Sequence, residues 1–192
     1  MPFATTTLGL VVFVVAMGLF VLQEFTQGFG TPAGGSVIDD RWAMIYLEAL
    51  PVLLVTASIA TSLAGWGSWP ASRSIFFIGI AILAIGVAIR EWSHRTLGRF
   101  HQALVTIQHD HDLVTSGPYR HVRHPMYAGS AIAFLGVALA LGTWPGLILS
   151  FLGTLPAIFR RIHVEERAMA ASLGGRYDDY ADTRARLVPR VW

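Results

Sequence analysis

The sequence predicts an all-α integral membrane protein with about five transmembrane helices. The last two form a helical hairpin, with a cytoplasmic loop before it and a C-terminal helical tail after it. Three observations carry that expectation. Of the 192 residues, 54% are hydrophobic and 14% charged, whereas soluble domains carry roughly 25% charged residues; the chain lacks the charge to cover a water-facing surface. Its apolar residues fall into runs near the ~20 residues that a helix needs to cross the hydrocarbon. Its arginines, by contrast, crowd into two polar segments. A chain of this length is expected to form one membrane domain, 1–192.

The first span is 8–22, which with 5–7 is just long enough. It has neither the basic start nor the small-residue cleavage site of a secretory signal, so a retained span is expected. A Gly/Pro-containing loop, 27–40, leads to a second span, 42–64, interrupted by Glu48 and Pro51. After a turn over 65–74, a third span occupies 75–89 with its flanks and closes on Arg90, Glu91 and Trp92; residues 1–92 thus hold three spans. From 93 to 124 the character changes, with six of the seven histidines and four arginines. In hydrocarbon those polar groups would go unsatisfied, so 93–124 is expected as a cytoplasmic loop. Residues 125–159 are then apolar for 35 residues, broken once by Gly142-Thr143-Trp144-Pro145-Gly146. One straight helix of that length would overshoot the bilayer, so two antiparallel spans joined by that turn are predicted. Residues 160–192 form a polar cytoplasmic tail that begins as a continuation of the fifth span.

Arginine placement orients these spans. Arg90, Arg95, Arg99, Arg120 and Arg123 lie in 90–124 and seven more arginines in the tail, while the 65–74 turn has Arg73 alone. By the positive-inside rule the loop and tail are cytoplasmic and the N-terminus is outside. The formal charge of +2 gives no reason to expect a nucleic-acid partner, and the absence of cysteine excludes disulfides, thiolate metal sites and a cysteine nucleophile.

If 125–159 is a hairpin, its two ends lie side by side at the cytoplasmic interface. One carries Tyr119, Arg120, Arg123, His124 and Tyr127; the other carries Arg160, Arg161, His163, Glu165 and Glu166. Arg161 and Glu165, four apart, share one helical face. Each element also has a plainer reading. Arginines at the end of a span snorkel to the interface, tyrosines anchor there, Pro125 can be a first helical residue, and Glu165-Glu166 can be a solvated face. Glu48 is harder to dismiss, because acids inside spans usually face a cavity or a partner. The pairs His109-x-His111 and His121-x-x-His124 offer nitrogen ligands, but the His-x-x-His-His boxes of membrane di-iron enzymes are absent and no metal is expected.

Together these clusters resemble the isoprenylcysteine carboxyl methyltransferase family, membrane methyltransferases related to the phospholipid methyltransferases. The residues that carry the resemblance are Leu97-Gly98, HDLVTSGPYRHVRHPMYAG at 111–129 and RIHVEERAMAASLGGRYDDYADTRARLVP at 161–189. The Arg-His-Pro-x-Tyr motif, followed by Glu-Glu and then Leu-Gly-x-x-Tyr-x-x-Tyr, is the specific part. The likeness covers 97–192, the expected methyltransferase core; the first 90 residues match only in being apolar spans.

The resemblance implies S-adenosylmethionine as methyl donor, held by the 100–127 loop and the final helix. No strand–glycine–helix dinucleotide fingerprint is present. By position, the implied cofactor contacts are His111, Asp112, Leu113, Val114, Tyr119, His124, Pro125, Met126, Tyr127 and Glu165. One further polar contact falls at Thr106, or at Gln108 if the alignment gap shifts. Arg161 matches the family's substrate-facing arginine, the implied catalytic residue. The implied substrate is a lipophilic small molecule or lipidated peptide, most simply a carboxylate such as a prenylcysteine-type C-terminus; an amine or thiol acceptor stays open. The chemistry is reasonable for these residues. The cofactor's carboxylate needs cationic or neutral donors, and its ammonium or ribose hydroxyls need an acceptor such as Glu165. Methyl transfer is an in-line displacement that needs positioning and partial desolvation, and a carboxylate acceptor needs no strong base. A competing reading is a membrane NADPH-dependent reductase of the steroid-reductase type, with a comparable bundle and cofactor loop. Another is a non-catalytic membrane protein, which no residue favours.

Overall fold

The computed structural model describes residues 4, 6–28, 35–37, 53, 56–57, 59–61, 63–67, 73–100, 106–108 and 113–189. Within them lie helices α1 (Thr7–Gly28), α2 (Arg73–Leu97), α3 (Pro125–Leu141), α4 (Trp144–Leu173) and α5 (Gly175–Thr183). Of these, α2 and α4 are long and apolar enough to cross a membrane, and Thr7–Gln23 and Pro125–Leu141 are shorter apolar helices. The expected second span, with Glu48, lies largely outside the described residues.

Four glycines join α2 to α3. Gly79 and Gly86 on α2, and Gly129 and Gly136 on α3, are spaced seven residues apart, close to two helical turns, so each pair lies on one face. A Cβ at Gly79 would stand 2.5 Å from the Ala140 nitrogen and 2.7 Å from the Gly136 oxygen. One at Gly86 would stand 2.5 Å from the Ala133 nitrogen and 2.6 Å from the Gly129 oxygen. The two antiparallel backbones therefore touch, with no room for a methyl group. In lipid the hydrophobic effect does not drive helices together, and close packing of small residues takes its place.

Phe76, Leu83, Ala133, Val137, Ala140 and Leu141 bury themselves along this seam, and α1 adds Phe13 and Phe20. The Phe20 ring meets Phe134 edge-on at 5.8 Å between centroids. At the far end of α1, the Gln23 Nε2 donates to the Val87 carbonyl and to Glu91, both at 3.1 Å. α1 and α2 thus run parallel. Outward-facing apolar residues, such as Leu10, Val14 and Leu19 on α1 and Phe151 and Leu152 on α4, stay exposed, as suits a lipid-covered surface. Trp66 and Trp144 are exposed at one end of the bundle and Trp92 toward the other, positions that interfacial tryptophans favour.

The predicted hairpin forms. Gly142 ends α3 in the left-handed region (φ 66°), and Thr143 caps α4, its hydroxyl accepting from the Gly146 N–H at 3.2 Å. The Trp144 N–H donates to the Gly67 carbonyl at 2.9 Å and ties the hairpin tip to the 64–67 turn. α4 then runs on past Phe159 to Leu173, as expected for the start of the tail, with Pro156 inside it.

Two expectations need correction. The helix of the third span does not give way to a loop at Ser93: α2 continues to Leu97. Its polar residues satisfy themselves within the helix: the Ser93 and Thr96 hydroxyls donate to the Ile89 and Trp92 carbonyls at 2.7 and 2.8 Å, and Arg95 pairs with Glu91 at 2.6 Å. Nor is the chain wholly α. Strand β1 (Gly35–Val37) pairs antiparallel with β2 (Thr106–Gln108), and Val122 forms a parallel bridge to Ala185. These lie in the polar linkers, where backbone groups have left the helices and still need partners.

The arrangement puts Arg95 and Arg186 at one end of the bundle and Arg73 at the other. Single cysteines introduced at these positions into this cysteine-free chain are expected to separate under an impermeant thiol reagent in intact cells, with 73 labelled and 95 and 186 protected. Labelling at 186 but not at 73 reverses the expected topology.

Candidate active site at the ends of α3 and α4

The segment that precedes α3 is seated on the last turns of α2. Gly117 has a positive φ of 56°, and a Cβ there would stand 2.8 Å from the Thr96 hydroxyl oxygen, so glycine is required both for the turn and for the contact. Pro118 and Tyr119 follow, buried, in a short 3₁₀ turn (Gly117–Arg120). His124 is the N-cap position of α3 and Pro125 its first residue, where a missing N–H costs nothing. One helical turn then delivers Tyr127 to the side of α4.

There the two clusters become one. The Tyr127 hydroxyl donates to Glu165 Oε1 at 2.5 Å, and Arg161 Nε stands 3.0 Å from the same oxygen and 3.2 Å from the tyrosine oxygen. His124 lies between two carboxylates, with Nδ1 3.6 Å from Glu165 Oε2 and Nε2 3.3 Å from Glu166 Oε1. Arg161 is 3% exposed and the Glu165 side chain is half-buried, so the pair is largely shielded from water. Burial alone would depress the His124 imidazole, but the hydrogen bonds and charges of Glu165 and Glu166 outweigh it and raise it above its ordinary value.

Glu166 is not a solvated neighbour. One helical step of about 100° takes it off Arg161 and onto Arg123 at 3.1 Å and Arg186 at 3.0 Å, with 13% of its side chain exposed. This carboxylate is the centre of a clasp that holds the tail against the start of α3. The Arg123 N–H donates to the Ala185 carbonyl at 2.8 Å, the His124 N–H to the Arg186 carbonyl at 3.0 Å, and the Tyr180 hydroxyl to the Tyr119 carbonyl at 2.7 Å. Gly174, with φ 55°, ends α4 and turns the chain into α5, which buries Tyr177 and Tyr180. The Leu-Gly-x-x-Tyr-x-x-Tyr motif is therefore a latch. Burial is the main reason that the Tyr180 phenol is pushed up to about 12, against the opposing charges of Arg123 and Arg184.

Of the residues the sequence singled out, Tyr119, His124, Pro125, Met126, Tyr127, Arg161 and Glu165 come together at this end of the hairpin. Leu113 and Val114 are half-buried on the approach to the 3₁₀ turn. Thr106 and Gln108 both lie on β2, and His111 and Asp112 lie outside the described residues. Arg120 and His121 are exposed and bond to each other at 2.8 Å. His163 faces outward and contacts the Phe159 carbonyl of its own helix at 2.7 Å. Among the described residues no three metal-ligating side chains converge. Sequence reasoning missed the roles of Glu166 and Arg186, and it missed a buried pair between Arg90 and the Ser130 hydroxyl.

Comparison with known proteins places the chain in a family. Residues 74–176 match the family described as phospholipid methyltransferase. The chain is 34% identical over 116 residues to protein-S-isoprenylcysteine O-methyltransferase A of Arabidopsis thaliana, covering 59% of this chain and 58% of that one. A probable protein-S-isoprenylcysteine O-methyltransferase of Oryza sativa subsp. indica is 32% identical over 110 residues, 56% of this chain and 57% of the relative. The match thus spans less than two thirds of either relative's length. The cobalt-zinc-cadmium resistance protein CzcN of Cupriavidus metallidurans is 28% identical over 165 residues, 83% of this chain and 71% of that protein. In fold, the chain is similar to the eukaryotic intramembrane Ras methyltransferase ICMT, with a TM-score of 0.67 at 23% identity, covering 93% of this chain and 65% of the other. With more than half of its length matched by the family and its fold shared with an intramembrane methyltransferase, the chain belongs to the phospholipid methyltransferase family, beside the isoprenylcysteine carboxyl methyltransferases.

Proposed function

We propose that this chain is an S-adenosylmethionine-dependent integral membrane methyltransferase, with its cofactor site facing the cytoplasm and a lipophilic methyl acceptor. The reading favours a carboxylate acceptor such as a prenylcysteine-type C-terminus, methylated on oxygen; a lipid amine or thiol is the alternative. The observation that carries it is the Arg161–Glu165–Tyr127–His124 cluster, a half-buried carboxylate beside a buried guanidinium at the end of apolar helices. This donor set fits the cofactor. Glu165 is the anion that an ammonium or ribose hydroxyls require, and cationic and neutral donors stand around it. When bound, S-adenosylmethionine supplies an electrophilic methyl group on its sulfonium.

The chain's own part is positioning. Tyr127 and His124 hold Glu165 in place from the start of α3, and Arg161 is placed to orient an acceptor carboxylate by its planar fork. A carboxylate is already a nucleophile, so no residue has to remove a proton first. Isothermal titration of the purified protein in detergent with S-adenosylhomocysteine and, separately, NADPH tests the reading. Binding of the former supports it, and binding of NADPH alone transfers the chain to the reductase reading.

Arg161→Ala is expected to cut methyl transfer on the order of a hundredfold or more through lost positioning, with S-adenosylhomocysteine affinity nearly intact because Glu165 keeps Tyr127 and His124. His124→Ala is expected to weaken cofactor binding itself. Affinity and turnover measured on folded protein check both. Normal turnover would make Arg161 an anchor of the helix, and lost affinity would assign it to the other ligand.

A further inference from the structure

His124 joins two parts of the molecule that have separate tasks. On one side is Glu165 of the proposed cofactor site, 3.6 Å from Nδ1; on the other is Glu166 of the tail clasp, 3.3 Å from Nε2. A neutral imidazole carries one N–H and one lone pair, so it would turn that lone pair on one of the two carboxylates; an imidazolium donates from both nitrogens. The residue has little freedom to avoid the choice. It is 9% exposed, its N–H donates to the Arg186 carbonyl at 3.0 Å, and its carbonyl accepts from the Ala128 N–H at 3.1 Å. The charged groups around it are Glu165 and Glu166 from α4, with Arg161 on the first carboxylate and Arg123 and Arg186 on the second. The Tyr127 ring on α3 lies 5.9 Å from the imidazole. Tyr119 of the preceding turn and Tyr177 of α5 lie within the fields of Glu165 and Glu166 respectively. Burial works against a charge on His124, and the two carboxylates outweigh it.

We propose that Glu166 is a positioning residue of the cofactor site: it keeps His124 an imidazolium, and the imidazolium holds Glu165 where it meets the cofactor's donors. This rests on the methyltransferase reading above and adds a residue to it. Tyr127 and the Arg161 Nε meet Glu165 at Oε1, whereas His124 faces the other oxygen, Oε2. Oxygens held from two sides fix the plane of the carboxylate, and loss of the imidazole proton would leave the second one loose. The clasp itself has no use for that proton. Arg123 and Arg186 already hold Glu166 at 3.1 and 3.0 Å, and bonds to the Ala185, Arg186 and Tyr119 carbonyls tie the tail down. Because the folded protein raises the imidazole above its ordinary value, the double contact is whole at low pH. It is lost as the pH rises through the folded-state value.

The test is the affinity for S-adenosylhomocysteine, titrated from about pH 5.5 to about pH 9, in the wild type, Glu166→Gln and Glu166→Asp. The ligand's own ionisations are common to all three, so differences between them belong to the protein. Wild-type affinity is expected to fall by about threefold to tenfold as the pH rises, the worth of one hydrogen bond. In Glu166→Gln the midpoint of that fall is expected about one pH unit or more lower, with affinity at the acid end close to wild type. Glu166→Asp keeps the charge and is expected to return the midpoint toward the wild type. A loss that is the same at every pH, which a loosened tail alone produces, overturns the proposal, and so does an unshifted midpoint. A midpoint that still moves when Glu166→Gln is added to His124→Gln shows that another group titrates, and overturns it too. If Glu166→Gln does not fold, Arg186→Gln decides. It removes a cation that competes with His124 for Glu166, so the midpoint is expected to rise although the tail is loosened; a midpoint that falls or stays overturns the proposal. A wild type that binds no S-adenosylhomocysteine at any pH removes the methyltransferase reading itself, an outcome distinct from these.

Discussion

Glu165→Gln is expected to abolish cofactor binding. The substitution keeps the shape of the side chain and removes its charge, so the cofactor's donors lose a charge-assisted hydrogen bond worth on the order of 1.5–3 kcal/mol. Arg161, 3% exposed and 3.0 Å away, loses its counter-charge at the same time. Breaking a buried pair from one side costs about 3–5 kcal/mol, so the melting temperature should fall as well. Calorimetry with S-adenosylhomocysteine on folded Glu165→Gln protein gives the answer, and unchanged affinity would sink the assignment. Glu166→Gln is expected to differ in kind. It loosens Arg123, His124 and Arg186 from one another and so releases the tail, with the smaller effect on affinity and the more visible one on proteolysis of 175–189.

Gly86→Val is expected to prevent the bundle from assembling. The added Cβ would meet the Ala133 nitrogen at 2.5 Å, and the obstacle is backbone, which cannot rotate away as a side chain can. Overpacking a core usually costs about 1–3 kcal/mol, and a backbone collision along a helix pair should exceed that range. The measurement is the yield and thermal melting of the protein in detergent. Gly18→Ala supplies the comparison, because a Cβ there meets nothing within 4 Å and alanine is the better helix former by up to ~1 kcal/mol. Equal behaviour of the two variants would mean that the seam does not hold the helices together.

What was legible in the sequence depended on whether the signal was local. The hairpin could be read because Gly142 to Gly146 breaks an apolar run that is too long for one crossing, and Arg161 and Glu165 could be paired because a helix fixes the four-residue relation. The glycine seam could not be read. Gly79 and Gly86 count simply as apolar residues until the facing helix is known, and their meaning lies in the match with Gly129 and Gly136. The Val122–Ala185 bridge joins backbones, which leave no side-chain pattern. Arg90 was hidden by a rule that is usually right, since arginines at span ends commonly snorkel to the interface; in the fold it is buried and donates to Ser130. Glu166 was misjudged because its partners come from residues far apart in the chain, Arg123 and Arg186.

Pro156 gives the molecule a lever. It supplies no N–H to the helix, so the Leu152 carbonyl has no intrahelical donor there and α4 is most easily bent at that point. Glu165 lies nine residues farther on, about 13.5 Å at 1.5 Å per residue. A bend of about 5° at the proline would therefore shift Glu165 by roughly 1 Å, a displacement that can change a rate a hundredfold when reacting groups must be aligned. His124 and Tyr127 belong to the helix that the glycines clamp, while Arg161 and Glu165 ride on the arm beyond the proline. The gap between them is thus set by the stiffness of one joint.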